Sequence, residues 1–245
     1  MLLPIKIEPD NLKQAIVHLK FDVNIPFELI PGKILDALEK FDYIYIPAPR
    51  PMVSIPMGNP NQKLEFANSG SGIFHNKKIK FQIKDSGIVF TMFASYIGWK
   101  QYFQYISEVL TEIRASNIIA SYKNIGLRYI SEYINEPIEN KIRSQFSWNI
   151  TNKSFPSSAS VYKTEFKEGE RKIVINLANH LERINQPTKA VERVSVVDID
   201  VICPLQNLSD HESVLKEIEI SHNIEKEYFF GLLTKEFINS INPTY

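Results

Sequence analysis

From residue 15 onward apolar and polar side chains alternate: Ala15, Val17, Leu19, Phe21 and Val23 fall on one side, His18, Lys20 and Asp22 on the other. Period two is the repeat of a strand buried on one face, so the pattern predicts a strand over 13–23. Pro31 suits the first turn of a helix. Ile34, Leu35, Leu38 and Phe41 then recur at helical spacing up to the apolar run at 43–46, giving strand, helix, strand. Further on, Ile79, Phe81 and Ile83 alternate with Lys80, Gln82 and Lys84, and Asp85-Ser86-Gly87 predicts a hairpin turn into a strand over 88–94. The strongest helical stripe comes next: Trp99, Tyr102, Phe103, Ile106, Val109, Leu110 and Ile113 predict a helix over 98–116, followed by a strand at about 118–134.

Between 47 and 60 five prolines fall in fourteen residues, and the Ser-Gly-Ser-Gly tract at 69–72 follows, so a long irregular loop is expected over 47–72. Past Pro137 a polar stretch at 151–158 places a boundary near 150. Residues 1–150 then form an α+β half, and residues 151–245 three antiparallel strands followed by a C-terminal helix. Those strands are expected at 161–166, 173–177 and 194–203, with a turn at 167–170 joining the first two. Ser209 with Glu212 matches a capping box, so a helix should begin at about 210 with Val214, Leu215, Ile218, Phe229 and Leu232 on its apolar side. Thr234 is placed to cap a last short helix. The fold class expected is α+β, with antiparallel sheets and long helices on one face. The similar order of elements admits a diverged duplication of two halves, although no residue-level repeat supports one.

Composition narrows the function classes. The 28 basic and 28 acidic side chains cancel, which removes a global field for nucleic acid or anionic lipid; any nucleic-acid binding has to be local. One cysteine rules out an intrachain disulfide, and with five histidines it makes no Cys-rich zinc site. Pro4, Lys6, Glu8 and Asp10 interrupt the N-terminal apolar run, and no 18-residue apolar stretch occurs, so a cytoplasmic protein without a membrane span is expected. Phosphate-cradling Gly-rich loops, nucleophile elbows and His-Glu-x-x-His motifs are missing, so neither catalysis nor a cofactor is expected.

Several residues invite chemistry. Asp198 and Asp200 share a strand face in the spacing that could hold a divalent cation, against the plainer reading of a solvent face. His211 and His222 are too far apart along a helix to share a metal, and packing or capping is their default role. Cys203 and His180 have no spacing that brings them together. Arg128 alternates with Leu127 and Tyr129 and with Lys123 could form a cationic strand face flanked by Tyr122, Tyr129 and Tyr133, suited to stacking and neutralising RNA. Lys80 and Lys84 extend the basic set, alongside the plainer readings of Arg128 paired with Glu132 or a helix acid and of an edge strand protected by lysines.

At Gly126-Leu127-Arg128-Tyr129-Ile130 the chain resembles a sporadically distributed family of uncharacterised bacterial and archaeal proteins of about this length, whose members carry a Leu-Arg-Tyr-Ile strand. The Tyr96-Ile97-Gly98-Trp99 and His222…Phe229…Leu232-Leu233-Thr234 segments are similar too, while Ser131 stands where that family has Asn. The resemblance implies no catalytic mechanism; the sporadic distribution points to mobile or defence genes. Taken together, the residues favour a non-catalytic binding or assembly protein acting on a protein partner or on itself. Nucleic-acid binding is the alternative. A small-ligand cavity between sheet and long helix, lined by Trp99, Phe103 and Phe81, is a third reading.

Overall fold

A computed structural model describes residues 3–47, 72–84, 87–92, 95–143, 147–150, 153–156, 159–184 and 188–245. β1 (Leu12–Val23) leads through a 3-10 turn into α1 (Ile30–Ala37), β2 (Ile44–Pro47), β3 (Gly72–His75) and the hairpin of β4 (Ile79–Lys84) with β5 (Gly87–Met92). α2 (Trp99–Ala115) and β6 (Ile119–Ile134) follow. Next come the small hairpin of β7 (Ser147–Ile150) with β8 (Lys153–Pro156), then β9 (Ser160–Glu168), β10 (Arg171–Ile184), β11 (Val191–Leu208), α3 (His211–Leu232) and α4 (Lys235–Ser240).

Among the described residues nine strands form one antiparallel sheet, in the order β2-β3-β4-β5-β1-β6-β11-β10-β9, which with its packed helices makes an α+β protein. β6 is its spine. Its sixteen residues pair with β1 along one edge, Ile16 opposite Arg128, and with β11 along the other, Asp200 opposite Arg128. The sheet therefore passes from the first segment to the second without a break, while the proposed boundary near 150 falls at the small β7–β8 hairpin. The alternating positions foreseen for β1 are the buried ones: Ala15, Val17, Leu19 and Phe21 pack with Ile34 of α1, Ile106 and Leu110 of α2, and Leu127 of β6. A second cluster gathers Ile175, Val197 and Ile199 with Ile224 and Phe230 of α3.

Three local features depart from the expectations. α3 is capped by Asp210, whose carboxylate accepts from the Ser213 amide at 2.9 Å, so the cap falls one residue after Ser209. β6 carries a register shift at Lys123: Lys20 opposes Asn124 but Phe21 opposes Tyr122, and the bulge turns Tyr122 into the core. β3 follows the Ser-Gly tract as a four-residue strand that the pattern did not foretell. Residues 48–71 of the Pro-rich loop and the turn residues Asp85 and Ser86 lie outside the described residues.

Gly98 immediately precedes α2 at φ 87° and ψ 151°, a conformation open to glycine and strained for other residues. That turn lets Tyr96 and Trp99 approach the same place from a coil and from the first turn of a helix.

Candidate functional site

α2 and α3 lie antiparallel, because Trp99 at the start of α2 stacks on His222 while Thr111 near its end meets His211. Around that Trp99–His222 contact lies a cavity of about 810 Å³, within the range of small-molecule sites. The floor is β6, through Tyr129, Ser131 and Tyr133. One wall is the turn at Tyr96 to Trp99, and another is the face of α3 bearing Glu219, His222, Glu225, Phe229 and Phe230 at helical spacing. The N-terminal segment supplies Pro4, Ile5, Ile7 and Leu12 as a strap. It is pinned to the C-terminal end where the Ile5 amide donates to the Thr244 carbonyl at 2.6 Å and the Glu8 amide to Ile241 at 2.8 Å.

The polar groups inside are joined in a chain. The Tyr96 and Tyr129 hydroxyls are 3.2 Å apart, and the Tyr129 hydroxyl lies 3.1 Å from Nδ1 of His222. The other side of the His222 ring faces Trp99, with centroids 4.0 Å apart and planes 12° from parallel. Burial, with a minor contribution from Lys226, pushes His222 down to about 3, so at neutral pH the imidazole is uncharged. Burial also holds the Tyr96 and Tyr129 hydroxyls well above their ordinary range. Glu225 is the outlier. It is 2% exposed, and burial pushes its carboxyl up to about 8, opposed only by the charge of neighbouring Lys226. No hydrogen bond from the described residues reaches that carboxyl, although its charge is felt at both tyrosine hydroxyls.

The residues singled out from the sequence are distributed differently from the expected strand face. Tyr129 and Tyr133 point to the buried side of β6, Tyr122 joins them after the bulge, and all three are at most 9% exposed. They share no surface with Arg128. Arg128 instead grips Asp198, Nε to Oδ1 and Nη2 to Oδ2 both at 2.7 Å, while the Asn176 amide donates to Oδ2 at 3.0 Å. This corrects two readings: Asp198 is covered rather than solvated, and the partner of Arg128 is Asp198 in place of Glu132, which pairs with Arg183. Burial raises the Asp200 carboxyl despite the nearby guanidinium of Arg128. Lys123 pairs with Asp22. Lys80 lies in the same cross-strand row as Arg128, through Thr91 and Ile16, and is thus three strands or about 14 Å away; Lys84 lies on the same strand as Lys80.

The paired arrangement of Arg128 and Asp198 has a measurable consequence. Asp198→Ala should cost about 1–3 kcal/mol in urea unfolding, since it leaves Arg128 and Asn176 without their acceptor; the exposure of the guanidinium keeps the loss below that of a fully buried pair. A change within about 0.5 kcal/mol would return Asp198 to the solvent-face reading.

His211 packs between Thr111 and Tyr122 at 3.3 and 3.4 Å, in keeping with a packing role. Cys203 contacts Glu217, and burial raises its thiol; His180 lies eight positions along β10 from Lys172, the neighbour of Arg171, roughly 27 Å away by strand rise. Among the described residues no cluster of His, Cys, Asp and Glu could hold a metal ion, and no helix is long and apolar enough to cross a membrane. Trp99 and Phe103 stack beside the cavity, but Phe81 lies in the core with Phe74 and Phe90, away from it.

Glu225 is the site residue that the sequence reading passed over, while Tyr96 and Ser131 entered it only through the family resemblance. A signal was present: the apolar stripe of α3 runs through Val214 and Ile218 and is then interrupted by Ser221, His222 and Glu225, all buried. Polar residues at core positions of an amphipathic helix mark a place where something other than packing is accommodated. No protein-family model matches the chain, and no curated protein matches it.

Proposed function

We propose that this protein is a non-catalytic binding protein that holds a small organic ligand in the cavity between α2, α3 and β6. The observation that carries the reading is the Glu225 carboxyl, buried and without a hydrogen-bonding partner among the described residues, set in a mostly apolar space large enough for a small molecule. Buried carboxyls that serve stability alone are ion-paired or hydrogen-bonded, so one without a partner at a cavity wall is a binding group awaiting its partner. The segments behind the family resemblance also converge here: Tyr96, Gly98, Trp99, Tyr129, His222 and Phe229 all line the cavity. The reading takes α2 and α3 to share one sheet face, as the common burial of Leu19, Leu127 and Ile199 beneath them supports. Catalysis is not invoked: the Glu225 carboxyl, at about 8, could exchange a proton near neutrality, but its neighbours His222, Tyr96 and Tyr129 are too weakly basic or too weakly acidic to relay that proton to a substrate.

Mass spectrometry of natively purified protein tests this directly. The expected result is a small-molecule adduct that Phe230→Trp, which fills the cavity, abolishes. A co-purifying protein or oligonucleotide, unaffected by that substitution, would instead support assembly or nucleic-acid binding.

A further inference from the structure

We infer that the ligand is an organic amine, an ammonium group carried on an apolar or aromatic body, with Glu225 as its counter-ion. The inference rests on the cavity being a ligand site and adds the chemical class. A carboxylate in low-dielectric surroundings without a donor is strongly destabilised, and a cation relieves it more fully than a neutral hydrogen-bond donor does. The walls beside Glu225 are aromatic: Tyr96, Trp99, Tyr129, Phe229 and Phe230 offer ring faces that attract a cation and cover an apolar body. The lysines that border the cavity do not fill this role. Lys6 is exposed and pairs with Glu8, Lys100 is exposed, and Lys226 follows Glu225 on the helix without forming an ion pair with it. Pairing with an ammonium makes Glu225 release its proton to solvent and stand as the counter-ion, a charge pairing that an anionic ligand does not gain.

A matched series of probes decides the matter: 4-phenylbutylamine, 4-phenylbutanol and 4-phenylbutyrate, titrated calorimetrically into the full chain and into Glu225→Gln. The amine should bind at least about tenfold more tightly than the alcohol, with the carboxylate weakest. In Glu225→Gln that preference should collapse to about twofold or less while the alcohol keeps its affinity, the melting temperature of the variant showing that it is folded. Equal binding of amine and alcohol, or an amine preference that survives Glu225→Gln, overturns the amine inference and leaves the cavity reading standing. Binding of none of the three overturns both.

Discussion

Urea unfolding of Glu225→Gln and of the parent chain is expected to diverge by about 4–5 kcal/mol between pH 4.5 and pH 8, the variant becoming the more stable. The sign follows from the direction of the shift. Burial raises the Glu225 carboxyl from an ordinary 4.5 to about 8, so the folded protein holds a proton that the unfolded chain releases between those values. The stability linked to that proton is complete below pH 4.5 and is lost as the pH rises through 8. His222 works in the opposite sense: its folded value of about 3 makes its contribution complete above 6.5 and lost as the pH falls towards 3. In the parent chain the two nearly cancel between about 4.5 and 6.5, and the Glu225 loss then stands alone up to 8. The lowered His18 and His211 are common to both chains and drop out of the difference. Parallel profiles would mean that Glu225 titrates normally and is reached by water.

Trp99→Ala should lower stability by about 2–4 kcal/mol, or roughly 5–15 °C in melting temperature for a chain of this size, and weaken binding of 4-phenylbutylamine more than tenfold. The ring has partners on several sides: His222 stacked at 4.0 Å, Phe103 stacked at 5.3 Å and Tyr102 edge-on at 6.2 Å. Because Trp99 is only half-buried at the cavity wall, the loss should fall short of that for a fully enclosed tryptophan. Trp99→Phe keeps a ring over His222 and should recover most of the stability. Thermal melts followed by circular dichroism, with calorimetry on the same samples, separate the two roles. An unchanged melting temperature would show that the stack contributes no stability.

Local pattern was sufficient for most of the elements. The alternation at 15–23 became β1, the stripe beginning at Trp99 became α2 to within a residue at either end, and the run after it became β6 at 119–134. These follow from local periodicity: a strand buried on one face shows period two, and a helix with one buried stripe shows a period near 3.6, whatever lies across from them. Thr234 caps α4 as foreseen, through a hydrogen bond from the Phe237 amide, because that contact spans only three residues.

What sequence spacing leaves open are the meetings between distant residues. Arg128 and Asp198 were each conspicuous alone, yet their union needs β6 beside β11 in one particular register. Tyr129 and Tyr133 could be assigned to the side of β6 opposite Arg128 by parity, whereas the bulge that brings Tyr122 to join them depends on pairing with β1. The cavity was further from view, since it draws on the N-terminal strap, β6 and residues of two helices, such as Trp99 and Glu225, that stand more than a hundred positions apart in sequence. The sequence by itself determined the kinds of elements, their order and their apolar faces, because these are set by neighbours a few residues away. The tertiary structure alone decided that Glu225 is buried at the cavity wall near Tyr129, because desolvation is a property of everything packed around a group, and that packing exists only once the sheet and both helices have come together.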